Sequence, residues 1–318
     1  MLGRLRTGAE ALYARVLETE LTETPSHVAV IQDGNRRYAD SAGVGKSEGY
    51  EAGAETTERL LNWCEELGIE EVTLYTFSTE NFRRTEEERE TLFDLITEKL
   101  REFADAEEVH EKEVRICAVG DTHKLPQRVR DAIAYADERT GEYDRLQLNI
   151  ALAYGGRAEL LNATRAIAQD VRDGRIEPAD IDVGTVETAL YDGPTRNVDL
   201  IIRSGGDERT SNFLPWQANG NEAAVYFTTP YWPEFRRIDF LRGIRTYQYR
   251  DQAWHQSRLN RARALAQALG PAAVPDARET FERFLDRGEK PEENEGKPTE
   301  ADGGTASPQD AVDGSAES

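Results

Sequence analysis

Long apolar runs are missing from this sequence: no stretch approaches the roughly 20 consecutive apolar residues that a membrane-spanning helix needs. The amino terminus, Met1-Leu2-Gly3-Arg4-Leu5-Arg6, passes into charged, helix-patterned sequence from Ala9 to Leu21 without the apolar core of a secretory leader. Cytoplasmic residence is therefore the expectation. Cysteine is nearly absent. Cys64 and Cys117 each sit among apolar neighbours, which suits core packing and excludes a disulfide framework. The four histidines, His27, His110, His123 and His255, are too scattered for metal-ligand spacing, which argues against zinc. Lysine is scarce as well: of 39 basic residues only Lys46, Lys99, Lys112, Lys124, Lys290 and Lys297 are lysine, and the rest are arginine.

Acidic residues are abundant. A formal charge of −22 repels a nucleic-acid backbone from most of the surface, so nucleic acid is excluded as a partner. An acidic, lysine-poor surface suits molar salt, where the Debye length falls to about 3 Å and self-repulsion is screened, and the reading is a halophilic host. With 318 residues the chain can bury a substantial core.

The stretch on which the chain is organised is His27-Val28-Ala29-Val30-Ile31-Gln32-Asp33-Gly34-Asn35-Arg36-Arg37-Tyr38. Its first half is a β-branched apolar run, a buried strand, and its second half has the composition of a tight turn. Asp33 thus stands at the mouth of a strand, where it can hold a divalent cation. Gly34 lets backbone N–H groups approach an anion, and Arg36, Arg37 and the start of a helix add positive potential. A plain turn with solvated arginines is the alternative.

Further strands are expected at Glu71 to Phe77, Val114 to Val119, Leu146 to Ala153, Asp199 to Arg203 and Val225 to Thr228. Helices are expected at Ala9 to Leu21, with Leu12, Val16, Leu17 and Leu21 on one side, and at Ser47 to Leu67. Others follow Thr85 through Leu92, Phe93, Ile96, Leu100 and Phe103, and lie at Leu125 to Arg139, Ala158 to about Arg172 and about Ile238 to Leu269. Such alternation means an α/β fold with a mainly parallel central sheet flanked by helices. In such sheets ligands gather beyond the carboxyl ends of the strands, which is where Asp33-Gly34-Asn35, Ser78 to Arg84, Tyr154 to Arg157 and Arg203 to Ser211 all fall. One Asp, one Asn, several Arg and several Gly on one rim suit phosphate groups and a metal ion.

Taken together, the sequence resembles the cis-prenyltransferase family of the undecaprenyl diphosphate synthase type. The matching segments are His27 to Arg37, Leu74-Tyr75-Thr76-Phe77-Ser78-Thr79-Glu80-Asn81-Phe82, Leu148 to Ala151 with Tyr154-Gly155-Gly156-Arg157, and Asp199 to Asp207 with Arg209. Ser211 to Gln217, Tyr226-Phe227 and Trp232-Pro233 complete them, so the likeness covers roughly Ser26 to Arg250. It implies a single domain with a hydrophobic tunnel, and elongation of an allylic diphosphate by isopentenyl diphosphate with a new cis double bond at each addition. A haloarchaeal host makes geranylgeranyl diphosphate the primer. By resemblance Asp33 assists departure of the allylic diphosphate with Mg²⁺, and Gly34, Asn35, Arg36, Arg37 and Tyr38 hold that diphosphate, with Lys46 and Tyr50 nearby. Arg203, Arg209, Thr210 and Ser211 form the isopentenyl diphosphate site. Ser78, Thr79, Glu80, Asn81, Phe82 and Arg84 lie between the two, and Asn81 orients the group that takes the proton, since a neutral amide is a poor base. The implied assembly is a homodimer delivering its product to a membrane. The expected organisation is a leading helix (residues 1–25), a catalytic domain (26–270), a further helix (271–287) and a disordered acidic tail (288–318).

The chain departs from the family pattern in places. Tyr38, Lys46, Tyr50 and Phe82 stand where Trp, Arg, His and Trp are common, and Ala224 stands where a metal-supporting Glu is usual, two residues before Tyr226. Glu222 is nearby after an insertion, so the cation either reaches Glu222 or rests on Asp33, phosphates and water. The helix after Ser47 and the strand Leu148 to Ala153 are candidates for the tunnel wall, and equally for plain core. Two rivals stand beside the enzyme: a noncatalytic prenyl-diphosphate-binding partner of a paralogue, and a phosphohydrolase with Asp33 as nucleophile, which lacks a second Asp in support. The all-helical trans-prenyltransferases are excluded by the strand pattern and by the absence of an Asp-Asp-x-x-Asp pair.

Overall fold

Val28 and Val30 face one way and Ala29 and Ile31 the other, as strand periodicity requires, and both pairs are buried beneath separate apolar clusters. A strand buried on both faces belongs inside a parallel sheet covered by helices. The computed structural model describes residues 14–191, 197–220 and 223–250, and it shows that sheet. These residues belong to one unit, Met1–Gln256; the second unit, Ser257–Ser318, lies outside them, as do the expected helix at 271–287 and the acidic tail.

In chain order the elements are β1 (His27–Ile31), α1 (Asn35–Ala42), α2 (Lys46–Glu66), β2 (Glu71–Ser78), α3 (Glu86–Asp105), the short α4 (Glu107–Glu111), β3 (Val114–Val119) and α5 (Gln127–Thr140). Then come β4 (Leu146–Tyr154), α6 (Gly156–Arg172), α7 (Val183–Tyr191), β5 (Leu200–Arg203) and β6 (Ala224–Phe227). Helical residues 237–250 close the described part, and a helical stretch at 14–20 precedes β1. The strands form one sheet in the order β3-β4-β2-β1-β5-β6, every pair parallel.

The leading helix corrects one expectation. Leu17 is fully buried against Ile238 and Leu241, but Val16, about 100° round the helix from it, points away from that cluster and is exposed. The α3 start follows its local chemistry: Thr85 Oγ1 accepts the backbone N–H of Glu88.

The order of the strands decides where a ligand can sit. From β1 the chain moves outward to β2 on one side, and from β5 it moves outward to β6 on the other, so the loops after β1 and β5 diverge. The crevice between them opens at the carboxyl edge. Ile31 and Arg203 are register partners at that edge.

Candidate active site

Two loops meet in this crevice. Asp33 follows β1 by two residues, and Arg203 is the last residue of β5. The Ser204 hydroxyl stitches them together, accepting the Asp33 N–H at 3.1 Å and donating to the Asp33 carbonyl at 2.8 Å. Arg203 is 4% exposed, and from this fixed position its Nη2 donates to Asp33 Oδ2 at 2.7 Å and to Asp207 Oδ2 at 3.0 Å. Its Nη1 donates to Ser211 Oγ and to the Arg209 carbonyl. Arg37 Nη2 lies 3.1 Å from Asp33 Oδ2, and Arg209 Nη2 lies 3.0 Å from Asp207 Oδ2. Charges therefore alternate along the rim, Arg37, Asp33, Arg203, Asp207, Arg209. Among the described residues the buried Arg203 Nε has no hydrogen-bond partner.

The start of α1 faces the same crevice. Gly34 caps it in the left-handed region, φ 109°, and no side chain caps the first turn, whose N–H groups are thus available to an anion. A side chain at Gly34 would also stand 2.8 Å from Tyr231, over whose ring the Arg37 guanidinium lies at 5.3 Å.

From this rim a cavity of about 740 Å³ runs inward between the sheet and the helices α2 and α3. Its mouth is charged. Its interior is built from Ala54 of α2, Leu74 of β2, Ile150 of β4 and the stripe Leu92, Leu95, Ile96, Leu100, Phe103 of α3. Arg84 Nη1 donates to Tyr50 Oη at 2.7 Å across the entrance. Tyr75, also in the lining, stacks on Phe213 at 4.4 Å between ring centres, and burial pushes its phenol upward in pKa.

The structure brings together most of the residues singled out in sequence. Asp33, Asn35, Arg36, Arg37, Tyr50, Ser78, Glu80, Asn81, Arg84, Arg203, Arg209 and Ser211 line this one cavity. Others do not face it. Lys46 is paired with Glu88 of α3, whose carboxylate also has Arg36 at 3.7 Å; that hydrogen bond raises the Lys46 pKa and lowers that of Glu88. Phe82 packs edge-on to Phe77 at 5.0 Å, and Thr79 sits against Gly155. Tyr38 and Thr210 are outside the lining, and Glu222 lies outside the described residues. Asn81 Oδ1 accepts the Ser78 N–H at 2.9 Å, so this amide also holds its own turn in shape.

Sequence reasoning left β4 and α2 open between tunnel wall and plain core, and it did not name α3, which supplies most of the apolar lining. It also passed over Asp207, Arg157, Asn212 and Trp232, all of which line the cavity. The signal for the last four was their place within the quoted motifs. The signal for α3 was its apolar stripe, which looks the same whether it meets core or cavity.

A hard divalent cation such as Mg²⁺ fits what is present at Asp33. One carboxylate oxygen is held by Arg37 and Arg203, and Oδ1 carries no hydrogen bond among the described residues. No group of three or more His, Cys, Asp or Glu side chains able to hold an ion occurs among the described residues. That donor set suits Mg²⁺, which commonly takes one or two carboxylates and completes its shell with phosphate oxygens and water.

A charged rim at the carboxyl edge of a parallel sheet, above a greasy interior, is the site of an α/β enzyme suited to amphiphilic anions. The chain belongs to the undecaprenyl diphosphate synthase family of prenyltransferases, whose model matches residues 31–255. It is 60% identical over 286 residues, 90% of this chain and 94% of its relative, to a tritrans,polycis-undecaprenyl-diphosphate synthase (geranylgeranyl-diphosphate specific) of Haloarcula marismortui. A relative of the same description in Halobacterium salinarum is 59% identical over 284 residues, covering 89% of this chain and 94% of that one. Among solved structures, lavandulyl diphosphate synthase from Lavandula x intermedia in complex with dimethylallyl diphosphate superposes with a TM-score of 0.66. It is 33% identical and covers 70% of this chain and 95% of that one. No helix among the described residues is long and apolar enough to cross a membrane.

Proposed function

We propose that this protein is a Mg²⁺-dependent cis-prenyltransferase. It condenses isopentenyl diphosphate repeatedly onto geranylgeranyl diphosphate to give a long polyprenyl diphosphate, the precursor of a glycosyl carrier lipid. The observation that carries the reading is the junction of the Asp33–Arg203 pair with an apolar cavity at the switch point of the sheet. Relatives at about 60% identity with the same substrate description support the choice of primer.

In this reading the first turn of α1, with Arg36 and Arg37, holds the allylic diphosphate, and the Arg203, Arg209 and Ser211 cluster holds isopentenyl diphosphate. Guanidinium forks match phosphate oxygens in pairs. The allylic carbon–oxygen bond breaks, a carbon–carbon bond forms, and a proton leaves the new chain. Negative charge gathers on the departing diphosphate, and oriented N–H groups and arginines stabilise it there. Mg²⁺, when bound at Asp33, neutralises part of that charge. Asn81 stays a neutral amide fixed by the Ser78 N–H, and so positions the proton acceptor instead of serving as one. The tail lies against Ala54, Leu74 and the α3 stripe.

The enzyme works in the cytoplasm as a homodimer and passes its product to a membrane. Purified protein incubated with geranylgeranyl diphosphate, labelled isopentenyl diphosphate and Mg²⁺ in molar KCl yields a ladder of elongated products. A folded sample that makes none overturns the reading.

A further inference from the structure

Three of four consecutive residues after β5 hold a backbone conformation that L side chains seldom adopt: Ser211 has φ 50°, Asn212 φ 61° and Leu214 φ 46°. Asparagine tolerates the left-handed region, because its short side chain can hydrogen-bond to backbone close by. Serine and leucine do so far less readily, and they stay there only where the surrounding structure holds them.

Asn212 supplies the hold. Its carbonyl accepts the Gly156 N–H at 2.9 Å, and its Oδ1 accepts the Arg157 N–H at 2.9 Å. These are the first two N–H groups of α6, and the residue in the capping position, Gly155, has no side chain with which to satisfy them. A residue 55 positions away in sequence closes the start of that helix. The two glycines allow the approach. A Cβ at Gly156 would stand 2.1 Å from Pro215 Cδ and 3.0 Å from the Asn212 carbonyl oxygen, and one at Gly155 would stand 2.6 Å from Thr79 Oγ1.

The other side of the segment faces the rim. Ser211 Oγ accepts from Arg203 Nη1, and the Ser211 carbonyl accepts from Tyr75 Oη at 3.5 Å. Arg157, whose N–H the amide holds, lines the same cavity as Arg203, Arg209 and Ser211. Asn212 exchanges no hydrogen bond with Asp33 or with the first turn of α1 among the described residues, so its reach is confined to one half of the rim.

We propose that Asn212 is a positioning residue for isopentenyl diphosphate; the proposal rests on the function given above. It pins the left-handed Ser211 against Arg203 and anchors the turn that carries Arg157. Without the amide the loop relaxes toward ordinary backbone, Ser211 Oγ leaves Arg203, and the guanidinium fork is no longer set for phosphate oxygens.

The test measures initial rates of the first condensation by the full-length enzyme with Mg²⁺ in molar KCl, varying isopentenyl diphosphate and geranylgeranyl diphosphate in turn, for wild type, Asn212→Ala and Asn212→Gly. Glycine adopts φ 61° freely, so the second variant removes the side-chain bond without adding backbone strain. Both variants raise the KM for isopentenyl diphosphate about tenfold, the order lost when a hydrogen bond to a charged group falls out of line, and leave the KM for geranylgeranyl diphosphate at the wild-type value. Loss of a merely structural contact lowers the melting temperature and the active fraction, and hence kcat, without parting the two KM values. A wild-type KM for isopentenyl diphosphate in Asn212→Gly, an equal rise in both KM values or a fall in kcat alone overturns the proposal. So does an Asn212→Gly protein that fails to fold, which would make the amide a folding contact. If only Asn212→Ala fails to fold, Asn212→Gly carries the test. In all these cases an active wild type leaves the prenyltransferase reading standing, and a wild type that makes no condensation product overturns that reading instead.

Discussion

Arg203 donates to Asp33 at 2.7 Å from a position that is almost fully buried, while the carboxylate itself is 30% exposed. The pair is thus anchored from inside the sheet and open toward the cavity. The same guanidinium nitrogen serves Asp207, so an arriving diphosphate meets cations that carboxylates have already oriented.

Replacing Asp33 with Ala leaves the sheet intact, because no core packing depends on this side chain. Removing one preorganised charge-stabilising group costs on the order of 10²–10³ in kcat. Steady-state condensation rates, with circular dichroism melts as a fold control, check this. A noncatalytic subunit would keep whatever activity its complex has.

Arg203→Lys keeps the charge but cannot reach Asp33, Asp207 and Ser211 together. The KM for isopentenyl diphosphate rises at least tenfold. Arg203→Ala, which strips partners from both carboxylates, lowers stability by about 1–3 kcal/mol.

Gly53 of α2 stands where a Cβ would lie 2.4 Å from Asn35 Oδ1, a buried oxygen with no hydrogen-bond partner among the described residues. Gly53→Ala therefore displaces the Asn35 side chain at the first, anion-facing turn of α1. Overpacking of this kind costs about 1–3 kcal/mol. The allylic diphosphate KM rises more than that of isopentenyl diphosphate, which initial-rate measurements separate.

Glu71 lies at the opposite end of the sheet, 4% exposed, accepting from Asn149 Nδ2 at 2.6 Å. Burial raises its pKa from 4.5 to about 6. An acid whose folded pKa is raised opposes folding when charged, so the opposition is full above pH 6, fades as pH falls and is gone below 4.5. A shift of this size corresponds to about 2 kcal/mol. Glu71→Gln is therefore more stable than wild type well above pH 6, and the gap closes by about that amount toward pH 4.5. Denaturant unfolding across that window measures it.

The net charge of −22 makes salt a stabiliser. Screening to a Debye length of about 3 Å in molar KCl removes most self-repulsion, and the melting temperature is higher there than in dilute buffer. Equal melting temperatures would contradict the halophilic reading.

The strands were legible almost to the residue. Val114–Val119 is where the apolar run places it, and β1, β2, β4, β5 and β6 differ from expectation by at most one residue at either end. Buried strands of a parallel sheet are continuous apolar runs with sharp polar ends, and this pattern survives without knowledge of neighbours. The rim was legible for the same reason, since parallel strands put all their following loops at one edge. Partners were not. Lys46 was placed beside the diphosphate and is tied to Glu88, and Phe82 belongs to an aromatic cluster with Phe77 and Phe93.

The amino-acid order by itself determined the α/β alternation, the polar mouths of the strands and the set of residue types that suit diphosphates and Mg²⁺, because these depend on near neighbours and period alone. Only the tertiary structure decided that β1 and β5 lie side by side so that Asp33 meets Arg203, that α3 lines the cavity, and that Lys99 crosses to Glu58. Periodicity tells which face of a helix is apolar. What stands opposite that face, and whether a space is left between, is settled by chain segments far away in sequence packing at the same place.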